Sequence, residues 1–155
     1  MASKRTQIAM TDEEVRAYLE SQKILNVATI GPSGHPHVVA MWYAFVDDAL
    51  CFWTFGKSQK VVNLRRDPRM TGLVESGEAY NELKGVELVG SGELVDDFDS
   101  VLAIGLAVAA RYNGPAAASD AALPFIEAQA RKRIGVRFRI DRAVSWDHGK
   151  LSGAY

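Results

Sequence analysis

The chain has 155 residues, 48% of them hydrophobic and 24% charged, with a formal net charge of −1 at pH 7. That balance describes one soluble globular domain with a full core. It argues against a nucleic-acid partner, which would call for a strongly basic face, and the longest apolar run, 101–110, is too short to span a membrane.

Residues 1–10 are polar and basic with no apolar centre, so no signal peptide is expected. The single cysteine, Cys51, lies in an apolar stretch, reads as a core residue and suits a reducing cytoplasm. Thr11 and Glu14 make a capping box that opens a helix to about Ser21, with Val15, Tyr18 and Leu19 along one stripe. Residues 25–30 read as a strand and Gly31-Pro32-Ser33-Gly34 as a turn. A second strand covers 37–46, Asp47-Asp48 makes a hairpin, and 50–55 returns. The second strand is apolar at both parities. One face fills the interior, while the other needs cover from the chain's own helices, a flat aromatic ligand or a second copy.

Residues 52–68 carry the most information. An aromatic strand ending at Phe55 runs into the turn Gly56-Lys57-Ser58, which opens a short helix that Pro68 stops. Such a helix start presents free backbone N–H groups and a partial positive charge, a natural seat for phosphate. Ser58 is placed to cap the helix, and Lys57 and Lys60 add full charges where a phosphoryl group would sit.

Residues 71–75 form another strand, and 76–85 a polar loop containing Tyr80. In the strand 86–95, Gly90 and Gly92 signal a bend or bulge. A helix over 97–112 ends at Asn113-Gly114-Pro115, and a second runs from Ser119 to about Lys132, giving a helical insert of about 97–133. Residues 134–140 alternate, apolar inward and arginine outward. Strands that arrive mostly as hairpins, with helices inserted, predict a mainly β (β+α) fold. The architecture expected is a six-stranded antiparallel barrel with flanking helices, not a doubly wound parallel sheet.

Protein-only catalysis has no evident basis: there is no Gly-x-Ser-x-Gly elbow, no Cys/His pairing and no outstanding carboxylate pair. His35 and His37 flank Pro36, but no third or fourth ligand accompanies them, so no metal is expected and His37 is expected to face a ligand. A phosphate cradle, many aromatics and no acid–base machinery point to a borrowed cofactor. No catalytic residue is assigned; a proton would come from solvent, His37 or Tyr43.

Several stretches carry a family resemblance. They are Leu25-Asn26-Val27-Ala28-Thr29-Ile30 with Gly34-His35-Pro36-His37; Met41-Trp42-Tyr43; 57–69, ending Asn63-Leu64-Arg65-Arg66-Asp67-Pro68-Arg69; Gly90-Ser91-Gly92-Glu93-Leu94; and 145–151. In order and spacing they resemble the split β-barrel flavin-binding superfamily that includes pyridoxamine 5′-phosphate oxidase. More narrowly, they are similar to its branch of flavin/deazaflavin oxidoreductases, many of which use coenzyme F420. The resemblance implies an FMN-binding split barrel that is a homodimer, with cofactor across the seam. Lys57, Ser58 and Lys60 would hold the cofactor phosphate, and backbone at Val39, Ala40, Met41 and Trp42 would line the isoalloxazine or deazaflavin ring. Phe55 and Gly56 lie where strand meets phosphate turn, and the loop around Tyr80 would reach the site from the other subunit. The implied activity is F420-dependent hydride transfer to a small electron-poor acceptor such as an activated alkene or quinone. An FMN-dependent relative and a non-catalytic carrier of F420, flavin or tetrapyrrole are the alternatives. The sequence stops at Ala154-Tyr155 without the arginine-rich C-terminal segment that pyridoxamine phosphate oxidases use, so pyridoxine phosphate is not the expected substrate.

Overall fold

The computed structural model describes residues 3–151; residues 1–2 and 152–155, including the Ala154-Tyr155 end, lie outside the described residues. Helix α1 (Lys4–Ile8) precedes α2 (Asp12–Ser21), whose capping box forms as the sequence requires. The Glu14 N–H donates to Thr11 Oγ1 at 3.2 Å, and the Thr11 N–H donates to Glu14 Oε2 at 2.7 Å. Strands β1 (Leu25–Ile30), β2 (Pro36–Met41), β3 (Ala44–Val46) and β4 (Ala49–Phe55) lead into α3 (Gln59–Arg66). Then come β5 (Arg69–Ser76), β6 (Lys84–Val95), α4 (Phe98–Asn113), α5 (Leu123–Ala130) and β7 (Arg133–Asp147).

All pairings are antiparallel, in the order β2-β1-β5-β6-β7-β4-β3. The sheet therefore has seven strands rather than the expected six, because the predicted strand 37–46 is broken at Trp42-Tyr43. Tyr43 causes the break. Its backbone N–H leaves the ladder to donate to Tyr112 Oη at 2.9 Å, and its fully buried phenol donates to Leu19 O at 2.5 Å. The break also closes the sheet. Strands β2 and β3 occupy opposite ends of the order yet are joined by two residues, which reach at most about 11 Å. The edges must meet, so the sheet curls into a split barrel.

The Asp47-Asp48 hairpin forms with φ of 49° and 61°, the left-handed pair a type I′ turn needs. At the bend predicted in β6 the register shifts between Val89 and Gly90, with Asp141 of β7 as the extra residue of the bulge, and a Cβ on Gly90 would lie 1.9 Å from Arg139 O. Strand β7 continues past the predicted end at 140, because β6 offers it a partner as far as the Lys84–Asp147 pair. Helix α5 begins at Leu123 instead of 119: Pro124 belongs in a first helical turn, and Pro115–Ala118 is a separate 3₁₀ turn.

Two apolar clusters result. Leu25, Val27, Phe52, Val74, Leu88 and Val136 fill the barrel, while Cys51 and Ala44 pack outside it against Ile104 and Val108 of α4. The insert thus covers the outer face of β3, whereas Val38 on the outer face of β2 stays 59% exposed. Among the described residues no helix is long and apolar enough to cross a membrane.

Candidate functional site

The outward residues of β4 pass from core to surface along one line. Cys51 is buried beneath α4, Trp53 is half-buried and Phe55 is exposed, each about 6.6 Å beyond the last. Phe55 pairs in register with Arg133 of β7, whose guanidinium carbon sits 4.4 Å from the Phe55 ring centre. A groove of about 610 Å³ opens here, lined by Phe55, Gly56, Lys57, Arg131, Lys132 and Arg133. It presents four cations, and no carboxylate lines it.

The adjoining start of α3 is open. Ser58 takes the cap position with φ −67° and ψ 151°, but its side chain caps nothing. Its Oγ instead accepts from Thr54 Oγ1 at 3.4 Å. Among the described residues the backbone N–H groups of Gln59 and Lys60 find no acceptor. Lys60, expected to project toward a phosphate, is folded inward: it is 8% exposed and its Nζ donates to Thr54 Oγ1 at 3.0 Å. Burial pushes its pKa down. The buried polar residues Thr29, Thr54, Lys60 and Asn63 all gather beneath this helix. Asn63 Nδ2 donates to Thr29 Oγ1 at 3.0 Å and Gln59 Nε2 to Asn63 Oδ1 at 2.8 Å, while Arg66 donates to Ile30 O. Hydrogen bonds therefore fix the angle at which α3 meets the barrel, alongside the burial of Val61 and Leu64.

The structure brings Phe55, Gly56 and Lys57 into one groove, with Ser58 and Lys60 directly behind it. Met41 and Trp42 line a different cavity, Val39 packs against the barrel core, and the exposed Ala40 shares the outward parity of Val38. His37 is half-buried, and its Nδ1 is buried without a hydrogen-bond partner among the described residues. Tyr80 stands apart, on the 3₁₀ turn Tyr80–Glu82, with its ring edge-on to His148 at 4.6 Å. Tyr43 is not a proton source: its hydroxyl is committed to Leu19 O inside the fold, and burial pushes its pKa up to about 12. Among the described residues no three His, Cys, Asp or Glu gather as a metal site. Sequence reasoning missed Arg131, Lys132 and Arg133. Their signal was a run of three basic residues at a strand start, but only strand register shows that the run faces Phe55.

The profile of the family described as pyridoxamine 5′-phosphate oxidase matches residues 11–147. The chain belongs to this family. The pyridoxamine 5′-phosphate oxidase family thus accounts for the curled antiparallel sheet and its flanking helices. Among solved structures, a conserved hypothetical protein from Mycobacterium tuberculosis is 40% identical, with a TM-score of 0.91 over 99% of this chain and 96% of that one. An F420 reductase is 26% identical, with a TM-score of 0.63 over 83% of this chain and 94% of that one. HutZ, the heme storage protein from Vibrio cholerae, is 14% identical, with a TM-score of 0.64 over 86% of this chain and 94% of its own. At that identity the likeness to HutZ is one of fold alone. The comparison with curated proteins gave no match.

Proposed function

We propose that this protein is a coenzyme F420-dependent oxidoreductase that reduces a small electron-poor acceptor, such as an activated alkene or a quinone. The observation that carries the reading is the groove, with four cations, no lining carboxylate and an uncapped helix start beside it. Unpaired N–H groups and like charges gathered in one place cost free energy until an anion answers them, and a phosphate-bearing cofactor tail does so.

Lys57, Arg131 and Lys132 would neutralise that tail, and the Gln59 and Lys60 N–H groups would donate to its oxygens. The Lys60 ammonium, behind Thr54 and Ser58, adds positive potential from a rigid position. Phe55 offers an exposed apolar ring for a flat cofactor, and β2, paired on one edge only with β1, leaves backbone groups along 39–41 to line it. Bound reduced F420 supplies hydride; the chain supplies orientation and exclusion of water. Of the two protein groups that the sequence offers as proton sources, His37 keeps an uncommitted ring nitrogen.

The F420 reductase among the similar structures favours the deazaflavin, while FMN, with its own phosphate, would suit the same turn and is the second reading. We further propose a homodimer formed through the outer face of β2, β1, β5 and β6. There a cavity of about 500 Å³ lies between Val38, Leu73 and Trp146, and a second subunit would bring its Tyr80 loop toward the groove. Titration of the purified protein with F420 and, separately, FMN, followed by their fluorescence, tests the cofactor. Saturable micromolar binding of F420 is expected. Binding of neither cofactor would end the oxidoreductase reading. Light scattering on the eluting peak should give the mass of two chains.

A further inference from the structure

A second cavity, of about 370 Å³, lies between the outer face of β4 and helices α4 and α5. Three aromatic rings line it, beside aliphatic side chains of α4 and α5. The Trp53 indole lies against α4 where Gly105 leaves room for it: a Cβ there would stand 2.5 Å from the ring. Trp42 is stacked on Tyr112 at 4.3 Å and 11°, which holds its indole rigid while the residue stays 47% exposed. Phe125, 66% exposed, contributes a third ring from α5.

One charge belongs to this chamber. The Arg133 guanidinium lies 4.7 Å from the Trp53 ring centre and 4.4 Å from that of Phe55, so it stands between the chamber and the basic groove and lines both. Among the described residues its one hydrogen bond runs from Nη2 to Gln129 Oε1 at 3.2 Å; Nε is buried without a partner and no carboxylate pairs with it. A guanidinium held between rings, with most donors unanswered, is preorganised for a planar anion. The Trp42, Trp53 and Phe125 rings offer a planar ligand aromatic contact beyond what the aliphatic wall provides.

We propose that this chamber binds a small planar aromatic carboxylate, with its ring against Trp42 and Trp53 and its carboxylate on Arg133. The inference does not rest on the cofactor reading, since Lys57, Arg131 and Lys132 serve the groove without Arg133.

The test uses the full chain, 2-naphthoate as the acid and 2-naphthamide as its neutral counterpart, read through the indole N–H signals in NMR. Trp146, which lines the separate cavity beside Val38 and Leu73, is the internal control. Naphthoate should shift the Trp42 and Trp53 signals, leave Trp146 in place and bind about tenfold or more tightly than the amide, as expected of a charge-assisted contact. Arg133→Met should erase that preference, and Arg133→Lys should keep part of it. Four results would overturn the proposal: no saturable binding, equal affinity for acid and amide, movement of Trp146 instead of Trp42 and Trp53, or full displacement by pyrophosphate, which would put the ligand in the groove. The wild-type measurements decide even if Arg133→Met fails to fold.

Discussion

Alternate residues of one strand serve opposite ends in this protein. Leu50 and Phe52 of β4 point into the barrel, fully enclosed by apolar neighbours. Cys51, Trp53 and Phe55, one residue out of phase, run from beneath α4 to an aromatic chamber and then to a cationic groove. The inner face is satisfied; the outer face gathers cations without counter-ions and N–H groups without acceptors. A strand's period of two lets one short segment hold the fold together on one side and leave groups unsatisfied for a ligand on the other.

That division breaks most plainly under truncation. Phe52→Ala should cost about 3–5 kcal/mol in urea unfolding, whereas Phe55→Ala should stay within about 0.5 kcal/mol. Comparable losses would show that parity does not separate the two roles. Next in size is Lys57→Ala, expected to weaken F420 binding by about tenfold or more, from about 1.5–3 kcal/mol for a charged contact, with the unfolding midpoint unmoved. A shifted midpoint with intact affinity would make Lys57 structural. Lys60 sits between the two categories, buried yet charged, so Lys60→Met should raise stability or leave it level while lowering cofactor affinity.

The smallest effect is a pH dependence with a definite sign. Burial lowers the Lys60 pKa, so in the alkaline window ending at its ordinary 10.5 the unfolded chain binds more protons than the folded one. This group's contribution to stability therefore rises with pH through that window, and its penalty is fully present below it. Urea midpoints of wild type and Lys60→Met should converge as pH approaches 10.5. Parallel curves would mean that the ammonium is better solvated than its burial implies.

Much of this was legible in the residues. The Thr11–Glu14 box, the Asp47-Asp48 turn and the Gly90 bulge each depend on a few neighbouring side chains or on one backbone conformation, and all of them form. The basic turn was marked by its lysines, and its helix forms at the expected place. What sequence could not give was which charges meet there. Nothing local says that Arg133 pairs with Phe55, that Lys60 turns under its own helix, or that Tyr43 leaves the ladder for Tyr112.

By itself, then, the sequence determined the strands, their turns, the family and the presence of a basic bend, because periodicity, turn chemistry and capping act over a few residues. The tertiary structure alone decided that a predicted strand splits to close the barrel, that Arg131, Lys132 and Arg133 complete the groove, and that the insert walls a chamber against Trp53. Those outcomes follow from long-range strand register and barrel closure. A one-residue slip in either would turn each of these side chains to the other face of the sheet.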